Sequence, residues 1–180
     1  SQIENKLNIE KTFIVENVLN GEYSKDLNEI YENIKKLEEI TFVENILTSN
    51  KIWEVLTSIH LNHNVNSEQG GRLGAHDAYD EYGNQYEYKI AKTTNWNFQD
   101  ISDAVLSKYK NLNGFILANK KVDTISISKI YIVNIDLLKR VKEKLNEKKI
   151  KFTKMGKELR RKSISITLSD IKPYTFNFNY

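Results

Sequence analysis

A chain of 180 residues with 39% hydrophobic content can bury one core but hardly two, so a single domain over 1–180 is expected. Its 27 basic and 24 acidic side chains leave a net charge of only +3, which permits a polyanionic partner without demanding one, and with no cysteine and three histidines any metal must be held mainly by oxygen. No apolar run approaches the roughly 20 residues that span a bilayer and the polar N-terminus lacks a signal-type apolar stretch, so the expectation is a soluble, cytoplasmic protein with no membrane partner and no organic cofactor.

Ile9, Phe13, Ile14 and Val18, then Leu27, Ile30, Ile34, Leu37 and Phe42, recur at helical spacing and predict two amphipathic helices. Asn20 and Gly21 are the stop between them, and Ser24 is the restart. A third short helix covers 52–59, which makes 1–60 a helical N-terminal part. The polar run 62–71 has the composition of a loop and hinge. Two strands follow, 74–80 and 85–91, joined at Glu81, Tyr82 and Gly83. Residues 99–110 read as helix, 114–119 as a nearly all-apolar central strand, 129–134 as a strand and 135–148 as helix. The basic segment 148–162 then leads to an alternating stretch, 163–168, and an aromatic tail with Phe176, Phe178 and Tyr180, both read as strands. The order is that of an α/β (α+β) fold: a central mixed sheet flanked by helices, with a core over 71–135 and C-terminal strands over 148–180.

The hairpin carries the chemistry. A three-residue loop commonly places its last residue in the left-handed region, where Gly83 sits without steric cost. With Glu81 to Gly83 as that loop, Asp80 pairs with Asn84, Asp77 falls opposite Glu87, and Ala75 falls opposite Lys89. Alternation then gathers Asp77, Glu87 and Lys89 on one face and turns Tyr86, Tyr88 and Ile90 the other way, into a core. Two opposed carboxylates repel, and a divalent cation compensates them best. Mg2+ prefers carboxylates, a backbone carbonyl, waters and a substrate phosphate over an all-protein cage. Lys89 can orient or deprotonate a water, or neutralise charge on an attacked phosphate. A solvated surface Glu-Lys pair is the bland alternative. The coincidence of an opposed Asp, a correctly placed Gly and an apolar far face favours phosphodiester hydrolysis.

The arrangement of Asp77, then nine residues, then Glu87-Tyr88-Lys89 resembles the motif of the PD-(D/E)XK nuclease superfamily, and in it the PvuII-like Type II restriction endonucleases. Asp80, Gly83, Gly71-Arg72 upstream, and Ser107-Lys108-Tyr109-Lys110 with Gly114-Phe115-Ile116-Leu117 downstream extend the likeness, over roughly 71–118. It departs in having His76 in place of the motif's Pro, an extra residue before Asp77, and a shorter segment after Lys89. The resemblance implies a restriction-endonuclease-like core and Mg2+ held by Asp77, Glu87 and the Tyr88 carbonyl, with Lys89 activating water. It further implies a homodimer, joined through its N-terminal helices, that cuts both strands of a short palindromic site in double-stranded DNA.

By position, the segment after Lys89 is then the DNA reader: Lys92 and Thr94 for phosphates, Asn95, Asn97 and Gln99 for base edges, with Asp100 also among its DNA-binding residues. The alternative is that Asn97 or Asp100 caps the next helix while Trp96 and Phe98 pack. The basic segment could line a backbone channel or simply be a solvated face. His76, turned to the other face by alternation, is read as structural. A nicking repair enzyme or junction resolvase on the same core, and a DNA-binding module without catalysis, are the competing functions.

Overall fold

The computed structural model describes residues 13–16, 24–42, 47, 50–65, 76–121, 123 and 125–174. In chain order these form β1 (Phe13–Glu16), α1 (Ser24–Thr41), α2 (Lys51–Leu61), β2 (Asn64–Val65), β3 (Ala78–Tyr79), β4 (Gln85–Ala91) and β5 (Asn95–Phe98). Then come α3 (Asp103–Tyr109), β6 (Gly114–Lys121), β7 (Ser126–Asn134), α4 (Leu137–Lys154), β8 (Ile164–Thr167), α5 (Leu168–Ile171) and a 3-10 turn, Lys172–Tyr174.

Six strands make one mixed sheet in the order β1-β7-β6-β4-β3-β2, in which only β4 and β6 run parallel. Parallel neighbours need a crossover, and β5 with α3 supplies it. The apolar run predicted as central is central: in β6, Phe115, Ile116, Leu117 and Ala118 are fully buried because both sheet faces are covered. On one face Tyr86, Tyr88, Ile116, Ala118, Ile130 and Ile132 pack with Trp53 and Leu56 of α2 and Leu27 of α1. On the other, Phe115, Leu117, Tyr131 and Val133 pack with Leu137, Val141 and Leu145 of α4. The second face is closed by a two-stranded ribbon, β5 antiparallel to β8, which contributes Trp96, Phe98, Ile164 and Ile166. β6 can start beside β7 only with glycine: a Cβ on Gly114 would collide with the Val133 carbonyl oxygen.

The free edge of β8 is stapled to α4. Lys144 and Lys148, one helical turn apart, donate to the carbonyls of Ser165 and Ser163, two residues apart. The spacings match because a helix rises about 6 Å over four residues and a strand about 6.7 Å over two. The edge carbonyls thereby gain partners and the edge is covered.

Several sequence expectations are corrected. Residues 13–16, read as part of a first helix, form β1 against the outer edge of β7, so the N-terminal part is not wholly helical. Phe13, Ile14 and Val15 favour strands as readily as helices, and an available sheet edge decides between them. The rest of that predicted helix lies outside the described residues, as do 66–75 of the predicted hinge and strand, the Gly71-Arg72 pair, and Phe176, Phe178 and Tyr180. Asn64 and Val65, read as loop, pair with β3. The predicted helix 99–110 starts only at Asp103, because Ser102 Oγ accepts from Val105 N–H at 3.2 Å and caps it there. The helix expected to end at 148 runs to Lys154 and absorbs the first basic residues, and the chain after Thr167 turns helical.

Candidate active site

The hairpin folds in the register that its turn chemistry predicts. Asp80 N–H donates to Asn84 O at 2.9 Å and Gly83 N–H to Asp80 O at 3.1 Å, and Gly83 sits at φ +82°. Ala78 pairs with Tyr86 and Tyr79 with Gln85, and Asp77 N–H still donates to Tyr86 O at 3.0 Å. Asp77, just outside the β3 ladder, is thereby held against the stretch of β4 that carries Glu87. Its Oδ2 accepts from Tyr88 N–H at 2.7 Å. The N–H and C=O of one strand residue leave at the same edge, so the Tyr88 carbonyl lies along this edge too.

Asp80 has a different task. Its carboxylate accepts from the N–H groups of Tyr82 and Asn84 and from Asn84 Nδ2, each at 2.9 Å, and from the Tyr86 hydroxyl at 3.2 Å. It is 8% exposed and holds the turn together.

Lys89 Nζ lies 3.5 Å from Glu87 Oε1, with side-chain exposures of 21% and 18%. The ammonium also sits 5.2 Å from the centre of the Phe98 ring, so the ribbon strand β5 walls the lysine on one side. Burial first, and then the charge of Asp77, push the Glu87 carboxyl up to about 7, against the pull of Lys89. Burial also raises Asp77, opposed by the Tyr88 N–H and Lys89. The two carboxylates are thus desolvated together, and for both of them burial outweighs the pull of the nearby cations, Lys89 on each and Lys51 with His76 on Asp77.

A third carboxylate, outside the hairpin, acts on this site through its charge. Glu54, on the first turn of α2 and 3.2 Å from Lys51 Nζ, is raised by burial and then by Asp77, and itself contributes to raising Glu87. Sequence reasoning missed it. A Glu three residues after a Lys on an amphipathic helix reads as a solvated pair, and only packing of Trp53 and Leu56 against the sheet turns Glu54 to the hairpin. Among the described residues no group of three or more His, Cys, Asp or Glu side chains converges as a metal cage.

The tyrosines behind the site point away from it, as alternation requires. His63 Nδ1 lies 2.8 Å from the Tyr88 hydroxyl, and its ring stacks on Tyr86 at 4.8 Å. Burial pushes this imidazole down to about 4, so it stays neutral near neutrality. His76 packs edge-on to Tyr79 at 5.9 Å.

The expected reader segment is exposed at Lys92, Thr94, Asn95, Asn97, Gln99 and Asp100, while Trp96 and Phe98 are fully buried. The pattern is that of a ribbon strand with one polar face, on which Asn95 pairs with Thr167 and Asn97 with Ser165. Asp100 adopts a left-handed backbone, φ 52°, and neither it nor Asn97 caps the following helix. Beside Asn97 opens a groove of about 470 Å³, lined by Lys144, Lys148 and Lys151 of α4 and by Ser163 and Ser165.

No protein-family model matches the chain, and no curated protein matches it significantly. Fold and site together define a mixed α/β protein with a sheet flanked by helices and two half-buried carboxylates, on adjoining segments of one hairpin, beside a lysine. Among the described residues no helix is long and apolar enough to cross a membrane.

Proposed function

We propose that this chain is a Mg2+-dependent DNA endonuclease of the Type II restriction kind, acting as a homodimer on a short palindromic site in double-stranded DNA. The observation that carries this reading is the bond from Tyr88 N–H to the Asp77 carboxylate, which holds Asp77 beside Glu87, with Lys89 3.5 Å from Glu87. Asp77, Glu87 and the Tyr88 carbonyl would hold the ion. Two undercompensated carboxylates are the donors a hard divalent cation prefers, and a partial cage leaves room for waters and a phosphate oxygen. When bound, the ion supplies Lewis acidity and a more acidic water.

The protein groups divide the remaining work. Asp77 is oriented by the Tyr88 N–H, so its carboxylate is fixed before substrate arrives. Lys89, pinned between Glu87 and Phe98, orients the attacking water and offsets charge on the non-bridging phosphate oxygens. As the water oxygen bonds to phosphorus, the bond to the leaving ester oxygen breaks. A palindromic site presents the same bond twice, which suits two copies related by a two-fold axis. On α1, Ile30, Leu37 and Ile40 are exposed, an apolar face that a second copy would cover.

Phage DNA incubated with Mg2+ should yield discrete fragments whose sequenced ends share one site, with no cutting in EDTA, by Glu87→Gln or by Lys89→Ala. Ca2+ should support binding without turnover. Full activity in EDTA would reject the reading. Nicking alone, or selective cutting of branched DNA, would point to a repair nickase or a junction resolvase on the same core. Binding without cleavage under every condition would leave a DNA-binding module.

A further inference from the structure

Beyond the triad, the paired ends of β4 and β6 bring two cations side by side. Their last parallel pair is Ala91 with Asn119, so Lys92 leaves the sheet next to Lys120, which continues in β6 paired with Ile127 of β7. The arrangement is held rigidly. Asn119 is 7% exposed, and its amide donates to Thr93 O at 2.8 Å and Ala91 O at 3.4 Å, which fixes the turn that carries Lys92. Lys120 Nζ donates to Asn50 Oδ1 at 2.6 Å and lies 4.4 Å from the centre of the Trp53 ring. Asn50 in turn donates to Ile90 O at 3.4 Å, and Trp53 Nε1 to Lys121 O at 3.2 Å, so the head of α2 is clamped onto both strand ends.

Neither lysine has an ion pair with a carboxylate among the described residues, although Glu54 lies one turn along the same helix, held by Lys51. Partial burial, and then the charge of Lys92, lower the Lys120 ammonium below its ordinary value. Like charges fixed together without a counter-ion are electrostatically costly unless an anion completes them. Lys120, over Trp53, lies on the α2 face of the sheet, opposite the face on which Lys89 meets Phe98.

We propose that Lys92 and Lys120, with the latter positioned by Asn50 and Trp53, form a binding site for a phosphodiester of DNA where β4 ends beside β6. This rests on the DNA-nuclease reading and deepens it. The site is a fixed cradle outside the metal carboxylates, so it serves binding rather than the chemical step. Asn50 acts as a positioning residue, because it aims the Lys120 ammonium and does not itself reach the anion.

The test is fluorescence anisotropy of a labelled duplex oligonucleotide, in Ca2+, across a KCl series, with wild type, Lys92→Gln and Lys120→Met. Lys92 is exposed, so its variant leaves packing intact, and methionine keeps an unbranched chain over Trp53. Each variant should weaken binding about tenfold and reduce the slope of log affinity against log salt by about 0.9, the loss of one phosphate contact. Unchanged affinity and slope in Lys92→Gln, with wild-type cleavage intact, would overturn this inference and leave the nuclease reading standing. Variant losses in binding with a wild type that never cleaves would sustain the site and reject the nuclease. Inorganic phosphate bound by wild type and lost in both variants, with no duplex binding, would mark a free-phosphate site and overturn the proposal.

Discussion

The Asp77 carboxylate accepts from the backbone N–H of Tyr88, the residue after Glu87, across a hairpin whose three-residue loop closes on Gly83. The two acids share one desolvated edge, and most of the testable behaviour follows from that.

Metal-free stability should decline with rising pH. Glu87 moves from an ordinary 4.5 up to about 7, so the folded protein holds this proton more tightly than the unfolded chain. Its stabilising contribution is full below about pH 4.5 and is lost as pH rises through about 7, at most on the order of 3 kcal/mol. Thermal melts should therefore show a falling midpoint over that interval. Glu87→Gln should flatten the profile, and Mg2+ should restore the midpoint at the alkaline end. A midpoint that climbs through the interval in metal-free wild type would contradict this.

Asp77→Asn and Asp80→Ala should fail in different ways. The first removes a metal ligand from a repulsive pair, so cleavage should vanish while the melting midpoint holds or rises. The second strands four donors that the Asp80 carboxylate now accepts, which should cost about 2–4 kcal/mol. At a temperature where it remains folded, Asp80→Ala should cut within about tenfold of wild type, a barrier change near 1.4 kcal/mol. Loss of cleavage by folded Asp80→Ala alone would show that the ligand has been misassigned.

Glu54→Gln should lower the pKa of Glu87, because it removes a negative neighbour from α2. Carbon-detected NMR of labelled glutamate side chains reads this directly in metal-free protein. An unchanged Glu87 titration would separate Glu54 from the site.

On the ribbon, Asn97→Ala and Gln99→Ala should relax or abolish site choice, at about 1–3 kcal/mol per lost bidentate contact, without altering the melting midpoint. Both side chains are exposed, which is why the fold should not register the change. Cleavage by both variants at the wild-type site with wild-type selectivity would remove them from the reader.

The sequence by itself determined whatever depends on neighbours along the chain. Gly83 sets the loop length, and the loop length sets the register, which pairs Asp80 with Asn84 and leaves Asp77 rather than Asp80 against the strand of Glu87. Period-two alternation likewise separates Glu87 and Lys89 from Tyr86 and Tyr88, and the unbroken apolar run of β6 marks a strand covered on both faces. Tertiary structure decided what depends on partners distant in sequence. Residues 13–16 are a strand because β7 offers an edge, and 95–98 are a strand because β8, some seventy residues later, pairs with them. The charge of Glu54 acts on Glu87, and Lys120 meets Asn50 and Trp53, only because α2 docks its apolar face on the sheet. Short segments sit near the balance between helix, strand and loop, so a sheet edge or a packed face supplies the free energy that local propensity lacks.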